Sequence, residues 1–253
     1  AFQGEFGDSC ILRVNIANLL GDKFWLSLSI CLSALVLAYA IAIPVGMIAA
    51  ASNNAILNNS LRFISYFGLA MPNFLLALLI MYLVYVFTGT AVEGLFSAEY
   101  ANARWSLGRI LDFLSHVWIP VVVIATGGAA PIIRVLRANL LDELNKPYVV
   151  TARAKGMKES RLIMRYPVRV AMIPLVATDG WVLPTIISSS IVTAIVLNLP
   201  TLSPILLRSL LSQDMHLAGA LILFMGILTL VGTLISDLLL AWIDPRIRTG
   251  MAT

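Results

Sequence analysis

Few polar residues in this chain could carry chemistry, and the most conspicuous stand inside long apolar runs. Asp179 and Asp237 each lie in a run that holds no other charged residue. Ionisable groups inside a bilayer are costly and often serve as ion or proton sites. Both aspartates stand near one end of their run, so snorkelling to the interface or pairing between helices remains an alternative to lining a pathway.

The remaining candidates have plain structural alternatives. Ser188 and Ser189 begin a run of three serines in the same apolar segment as Asp179. They could line a path or hydrogen-bond across helices, although close packing is the commoner use of small residues there. The two histidines, His116 and His216, have no carboxylate or cysteine at metal-ligand spacing, so the sequence predicts no metal site.

Sequence motifs for catalysis and nucleotide binding are missing from the chain. A phosphate-binding loop requires a Gly-Lys-Ser/Thr sequence, whose amides and lysine hold the phosphates, and none occurs. HExxH and GxSxG are also missing, and so is a paired-aspartate arrangement suited to intramembrane proteolysis. The chain is therefore predicted not to be an enzyme and to hold no cofactor of its own.

The composition is that of a membrane protein. The 253 residues are 60% hydrophobic and only 12% charged, and the mean hydropathy is +0.93. A soluble domain carries about 25% charged residues. The net charge of +4 could suggest nucleic acid as a partner, but its distribution explains it without one.

Apolar runs with at most one charged residue each predict an all-α integral membrane protein with five transmembrane helices. About 20 apolar residues are needed to cross the hydrocarbon core. The runs that meet this requirement lie at about 24–51, 64–88, 117–136, 171–197 and 217–243.

The basic residues predict the orientation of these spans. Loops on one side hold 12 of the 17 lysines and arginines, nine of them between Arg134 and Arg169, and the other side holds five. Because cytoplasmic loops are enriched in Lys and Arg, the 134–170 loop and the C-terminus are expected in the cytoplasm. The stretch 89–116 is expected outside, where it is long enough to form a small cap.

The basic loop itself carries helix signals. Asn145-Lys146-Pro147 predicts a helix start, since proline suits the first helical turn. Gly156 predicts its end, because glycine accepts the left-handed conformation that helix ends require. A second helix is predicted from Lys158, with a basic ridge and an adjacent apolar stripe at helical spacing: Lys158, Arg161, Arg165 and Arg169 for the ridge, and Leu162, Tyr166 and Val170 for the stripe.

Two interpretations of this bent basic loop stand side by side. It could be an amphipathic helix pair lying on the membrane surface. It could also be a docking element that passes force from a soluble partner into the membrane helices.

The sequence of the loop resembles a known family. T-A-R-A-K-G at 151–156, followed by Pro174 in "MIPLVA", is similar to the EAA loop of ABC importer permeases, in particular the dipeptide, oligopeptide and nickel branch. "GEFGDS" at 4–9, "MPNF" at 71–74 and "DPRIR" at 244–248 also resemble that branch. The resemblance implies a coupling loop within 147–170, formed by Ala152, Arg153, Ala154, Lys155, Gly156, Met157, Lys158, Arg161 and Arg165.

The resemblance also implies a fold and partners. One permease domain over 1–253, with the type I importer fold, would pair with a paralogous permease in a bacterial or archaeal cytoplasmic membrane. Two cytoplasmic ATPase subunits would bind ATP and magnesium, and an external solute-binding protein would deliver the substrate. The family's first transmembrane helix and the segment after it are not in the sequence, and a further helix upstream is expected.

Two departures from the family pattern bear on the substrate. "TAIVLNLPTLSP" at 193–204 has Ala194 where the branch usually has an acid, and Thr201 and Ser203 where it has glycines. "QDMH" at 213–216 stands where Arg-Asp-Tyr-Pro is common. A peptide, an oligosaccharide and a nickel complex therefore all remain open as substrates.

A different class of protein is a secondary transporter or channel that uses Asp179 and Asp237 as ion sites. The basic loop discriminates between the two classes, because a secondary carrier has no need for a glycine-bent basic dock.

Overall fold

A computed structural model gives the conformation of residues 6–9, 13–52, 54–89, 94–97, 99–100, 103–104, 106–177 and 191–243. The regular secondary structure of the described part is helical, apart from one isolated bridge between Asp8 and Asn15. Its helices are α1 (Ile16–Ala51), α2 (Ala55–Ala70), α3 (Asn73–Thr88), α4 (Leu107–Leu144), α5 (Pro147–Ala154), α6 (Glu159–Arg165), α7 (Pro167–Ala171), α8 (Ile191–Val196), α9 (Leu202–Leu211) and α10 (Met215–Ile243).

Three of these helices, α1, α4 and α10, are long and apolar enough to cross a membrane. The pair α2 and α3 counts as a fourth crossing if the two are one bent span. The all-α membrane architecture predicted from the apolar runs is thus confirmed. About half of the predicted span at 171–197, residues 178–190, lies outside the described residues, so the number five stays a prediction.

The predicted span at 64–88 is not one continuous helix. α2 ends at Ala70 and α3 begins at Asn73, so Met71 and Pro72 separate two helices. Pro72 is the cause: it has no N–H to donate to the preceding turn, and it pushes Met71 out of the helical region. The Pro72 carbonyl then accepts the first amides of α3, from Leu75 at 3.0 Å and Leu76 at 3.2 Å.

Two helices extend well beyond their predicted spans. α1 ends at Ala51 as predicted but begins at Ile16, and α4 covers 38 residues where an apolar run of 117–136 was predicted. Apolar runs locate only the part of a helix that crosses hydrocarbon. A helix bonds its own backbone groups, so it can continue past the interface into charged sequence.

The described chain forms two compact units, which draw on different parts of the long helices: residues 1–37, 71–126 and 183–228 in the first, and 38–70, 127–182 and 229–253 in the second. The core of the first unit joins the start of α1 to α9 and α10 through Ile16, Leu20, Leu202, Leu206, Leu217 and Leu221. The core of the second joins the end of α1 to α4 and α7 through Ala50, Leu136, Leu140, Val168, Ala171 and Leu175.

Buried hydrogen bonds join parts of the first unit at the starts of α10 and α9. Asp214 is buried and accepts hydrogen bonds from Ser9 Oγ at 2.5 Å and from the Leu217 amide at 3.2 Å. It therefore caps the N-terminus of α10 while holding the N-terminal segment. The buried Ser27 Oγ accepts a bond from the Leu202 amide at 3.0 Å, which joins α1 to the first turn of α9.

The cap at Asp214 makes a prediction about stability. Asp214→Ala removes the helix cap and leaves the Ser9 hydroxyl without its carboxylate, so we expect a loss of about 1–3 kcal/mol in the free energy of unfolding. Thermal unfolding of the detergent-solubilised chain measures it. Asp214→Asn, which keeps one side-chain oxygen, should lose less, and an unchanged melting temperature in the alanine variant would contradict the assigned role.

Candidate functional site

The basic loop begins as its sequence predicts. Lys146 is extended at φ −70° and ψ 147°, and α5 starts at Pro147, which occupies the first helical position. The proline has no N–H, and the first amides of a helix have no intrahelical partner, so the residue suits this place. Val149 is fully buried and fixes α5 to the body of the second unit.

Gly156 ends α5 in the left-handed conformation, as predicted, with φ +77°. The Gly156 amide donates to the Arg153 carbonyl at 3.0 Å, and the Met157 amide donates to the Ala152 carbonyl at 3.4 Å. These two bonds form a Schellman motif, which satisfies carbonyls that the helix end would leave unpaired. A side chain at position 156 would meet no atom within 4 Å. The requirement for glycine is therefore conformational rather than steric.

The second helix of the loop, α6, starts at Glu159 with Lys158 as its N-cap, as predicted. The predicted continuation of this helix to Arg169 is wrong. α6 ends at Arg165, and α7 begins at Pro167 after Tyr166 at φ −116° and ψ −76°. Proline cannot donate to the preceding turn and restricts the residue before it, which breaks the helix here.

Because of this break, the predicted basic ridge and the predicted apolar stripe do not continue beyond α6. Arg169 Nε donates to the Ile243 carbonyl at 3.1 Å, at the end of α10, so Arg169 does not share a face with the other basic residues. In the predicted apolar stripe only Leu162 is buried, while Tyr166 and Val170 are 37% and 40% exposed. The buried residues after the break are Pro167, Val168 and Ala171, because the new helix restarts the periodicity.

A bidentate ion pair closes the turn between α5 and α6. Arg153 Nε lies 3.0 Å from Glu159 Oε2, and Arg153 Nη2 lies 2.5 Å from Glu159 Oε1. The hydrogen bond lowers the pKa of Glu159 and raises that of Arg153. Both side chains are about half exposed, so the pair contributes little to stability in water. It does restrain the angle of the turn, and it engages one of the predicted coupling residues within the loop itself.

The other basic residues of the loop surround a groove, which we call the coupling groove. It has a volume of about 670 Å³. Four cations line it, Lys155, Lys158, Arg161 and Arg165, and no carboxylate of the described residues lies within ion-pair distance of them. Seven of the nine predicted coupling residues form its walls: these four with Ala152, Gly156 and Met157. An anionic or hydrogen-bond-accepting surface would fit such a groove.

Tyr148 is a groove residue that the sequence analysis missed. Its hydroxyl donates to Glu143 Oε2, which ties α5 to the last turn of α4. Burial and the neighbouring Glu143 carboxylate raise the pKa of Tyr148, so the phenol stays protonated and keeps donating. The sequence held a signal that could have found this residue: Tyr148 directly follows the helix-starting Pro147 and lies five residues after Glu143.

The predicted polar residues of the membrane spans are not brought together by the described structure. Asp179, Ser188 and Ser189 lie outside the described residues. Asp237 is exposed on α10, and the described residues offer it no ion pair. Its neighbour Ser236, which was not singled out, is buried and donates to the Val176 carbonyl.

Helical spans around a glycine-bent basic loop define a membrane transport subunit, and comparison with known proteins identifies its family. Residues 42–249 match the family described as "binding-protein-dependent transport system inner membrane component". The chain belongs to this family and is a permease subunit of an ABC importer. The resemblance found in the loop sequence is thereby confirmed.

Similar proteins extend the match over nearly the whole chain. The oligopeptide transport system permease protein AppB of Bacillus subtilis is 32% identical, covering 97% of this chain and 77% of that protein. The dipeptide transport system permease protein DppB of Escherichia coli K12 is 28% identical with the same coverage. Among solved structures, a chain of the methionine ABC transporter MetNI has a TM-score of 0.69 at 18% identity, covering 89% of this chain and 96% of that one. The type I importer fold is thus confirmed.

The geometry of the loop predicts how position 156 responds to substitution. Gly156→Val should change the angle between α5 and α6, since a β-branched residue is strained at φ +77° by roughly 1–2 kcal/mol. Spin labels at Thr151 and Met164, which are both exposed, report the angle as a distance distribution. We expect a shifted or broadened distribution in the valine variant.

Gly156→Asn is the matched control, because asparagine tolerates the left-handed region. Its distance distribution should match that of the wild type. Equal distributions in the valine and asparagine variants would show that the left-handed turn does not set the angle.

Proposed function

We propose that this chain forms half of the translocation pathway of an ATP-driven importer of short peptides. The carrying observation is its similarity, over nearly the whole chain, to permeases named for oligopeptides and dipeptides, together with a basic groove in the loop whose sequence resembles the family's EAA loop. In this proposal a solute-binding protein delivers the peptide outside, and two ATPase subunits bind the loop in the cytoplasm. A paralogous permease completes the pathway.

The anchoring of the loop supports a role in force transmission. Val149 and Leu162 are fully buried, so neither short helix can shift without moving the core beneath it. Tyr148 binds α4 through Glu143, and Asn139 on α4 donates to the Ala171 carbonyl at the end of α7, at 3.3 Å. Closure of the ATPases against the groove would therefore move these elements of the second unit as a rigid body.

The departures at 193–216 weigh less against a peptide than their sequence suggests. Ala194, Thr201 and Ser203 are all buried within the first unit, at 1%, 6% and 3% exposure. Asp214, in the divergent "QDMH" stretch, caps α10. Residues that pack inside a unit report on its stability rather than on the solute, so these departures do not count against a peptide.

The secondary-transporter alternative loses its support in this family. Its two candidate ion sites were Asp179, which lies outside the described residues, and Asp237, which is exposed on α10. Among the described residues, Asp237 belongs to no group of His, Cys, Asp or Glu that could hold a metal ion, and a single exposed carboxylate is a poor ion site. A role of Asp237 in the pathway stays a prediction.

Uptake measurements test the substrate. The chain is reconstituted in proteoliposomes with the permease, ATPase and solute-binding subunits encoded beside it. Labelled di- to pentapeptides and labelled oligosaccharides are then offered with ATP inside. We expect ATP-dependent accumulation of a peptide. Accumulation of the oligosaccharide alone would refute a peptide as the substrate. Accumulation driven by a proton gradient without ATP would refute an ATP-driven importer.

The same vesicles test the coupling role of the loop. Gly156→Val should abolish or greatly reduce ATP hydrolysis stimulated by the loaded binding protein, because it misplaces Lys158, Arg161 and Arg165 relative to α5. Abundance in the membrane should not change, since the apolar spans are untouched. Gly156→Asn should retain both activities. Stimulated rates near wild type in the valine variant would show that the loop is not the coupling element.

A further inference from the structure

A second cluster of positive charge lies in the second unit, apart from the residues of the coupling groove. A cavity of about 30 Å³ opens between the end of α1, α2 and α4. Three arginines line it: Arg62 from α2, and Arg134 and Arg137 from successive turns of α4. Ser65 and Tyr66 of α2 complete its polar wall. This volume exceeds the roughly 10–15 Å³ that one water molecule requires, so an oxygen of a ligand can enter it.

One of the three arginines has a structural role, and the other two do not show one. Arg137 Nε donates to the Ala49 carbonyl at 3.1 Å and so caps the last turn of α1. Arg62 and Arg134 are exposed, and no carboxylate of the described residues lies within ion-pair distance of any of the three. Three like charges around one cavity repel each other, and an anion there would relieve that repulsion.

The chemistry of the cluster selects the anion. Guanidinium groups present paired donors that match the oxygens of phosphate, and they are less strongly hydrated than lysine. Several arginines around a small opening favour a phosphate over a single carboxylate, because a phosphate offers oxygens in several directions.

The surface beside the cavity is apolar. α2 exposes Ile56, Phe63, Ile64 and Phe67, with Phe63 at 71% and Phe67 at 58% exposure, and the two phenylalanine rings stack at 6.4 Å. An exposed apolar helix face in an integral membrane protein suits acyl chains. Arg62 and Arg134 also belong to the basic side of the predicted topology, where anionic headgroups attract such clusters.

We propose that the cavity between Arg62, Arg134 and Arg137 binds the headgroup phosphate of an anionic phospholipid whose acyl chains lie along the exposed face of α2. The site is separate from the coupling groove and does not depend on the transported solute. An anionic lipid fits better than a zwitterionic one, because choline would bring a further positive charge to the arginines.

Lipid retention by the full chain tests the proposal. The chain is purified in mild detergent with equal amounts of phosphatidylglycerol and phosphatidylcholine, and bound lipid is counted by native mass spectrometry. The wild type should retain phosphatidylglycerol selectively. Arg62→Gln/Arg134→Gln should weaken that retention at least about tenfold, since two charge-assisted contacts are lost. Arg137 is left intact because it holds α1.

The matched control removes the same charge elsewhere. Lys155→Gln/Lys158→Gln deletes two cations of the coupling groove and should retain phosphatidylglycerol like the wild type. Equal loss in both double variants would make the effect one of net charge and would overturn the proposal. Unfolding curves of both variants, which alter exposed side chains only, should overlay the wild type.

Two further outcomes would also overturn the proposed lipid site. Displacement of phosphatidylglycerol by millimolar inorganic phosphate, with phosphate itself bound at the site, would assign the cavity to a free anion. Unchanged lipid retention together with weaker association of a co-purified permease subunit in Arg62→Gln/Arg134→Gln would assign the arginines to a protein contact.

Discussion

Hydrocarbon offers a backbone no water to hydrogen-bond with, and this constraint shapes the described chain. Each amide and carbonyl inside the bilayer must find its partner within the protein, which a helix achieves within its own segment. The long helices α1, α4 and α10 follow directly. At the interruption between α2 and α3, the Pro72 carbonyl accepts the first amides of the new helix. Loops outside the hydrocarbon are free of this constraint, because water can bond their backbone groups.

The basic loop fixes the angle between α5 and α6 through bonds within the loop and through buried residues. Its turn at Gly156 is closed by two backbone bonds to Ala152 and Arg153, so it is a defined angle and not a flexible joint. The Arg153–Glu159 pair restrains that angle from outside, and the buried Val149 and Leu162 hold the two helices to the body of the second unit. The proposed transmission of force needs such rigidity, because a compliant loop would absorb the motion of a partner.

The positively charged side chains of the described residues fall into sets that differ in what they contact. Arg153 is neutralised inside the loop, and Arg137 and Arg169 cap the ends of α1 and α10. The cations of the coupling groove are exposed, and so are Arg62 on α2 and Arg134 on α4. No carboxylate of the described residues forms an ion pair with any of them. The distribution of Lys and Arg between loops predicts the orientation of the protein in the membrane, but only this division separates arginines that build the structure from those available to partners.

Local chemistry in the sequence determined the membrane class, the family and the start and bend of the coupling loop. Pro147 and Gly156 act through their own backbone preferences, so their effect needs no distant residue. The break at Pro167 is equally local, but helical periodicity assumes an unbroken helix and so overlooked it. Periodicity also assigns no partners, and it left the pairing of Arg153 with Glu159, six residues away, unpredicted. Tertiary structure decided that Arg169 meets the end of α10 and that Arg137 meets the end of α1, because folding brings together residues that are far apart in the chain.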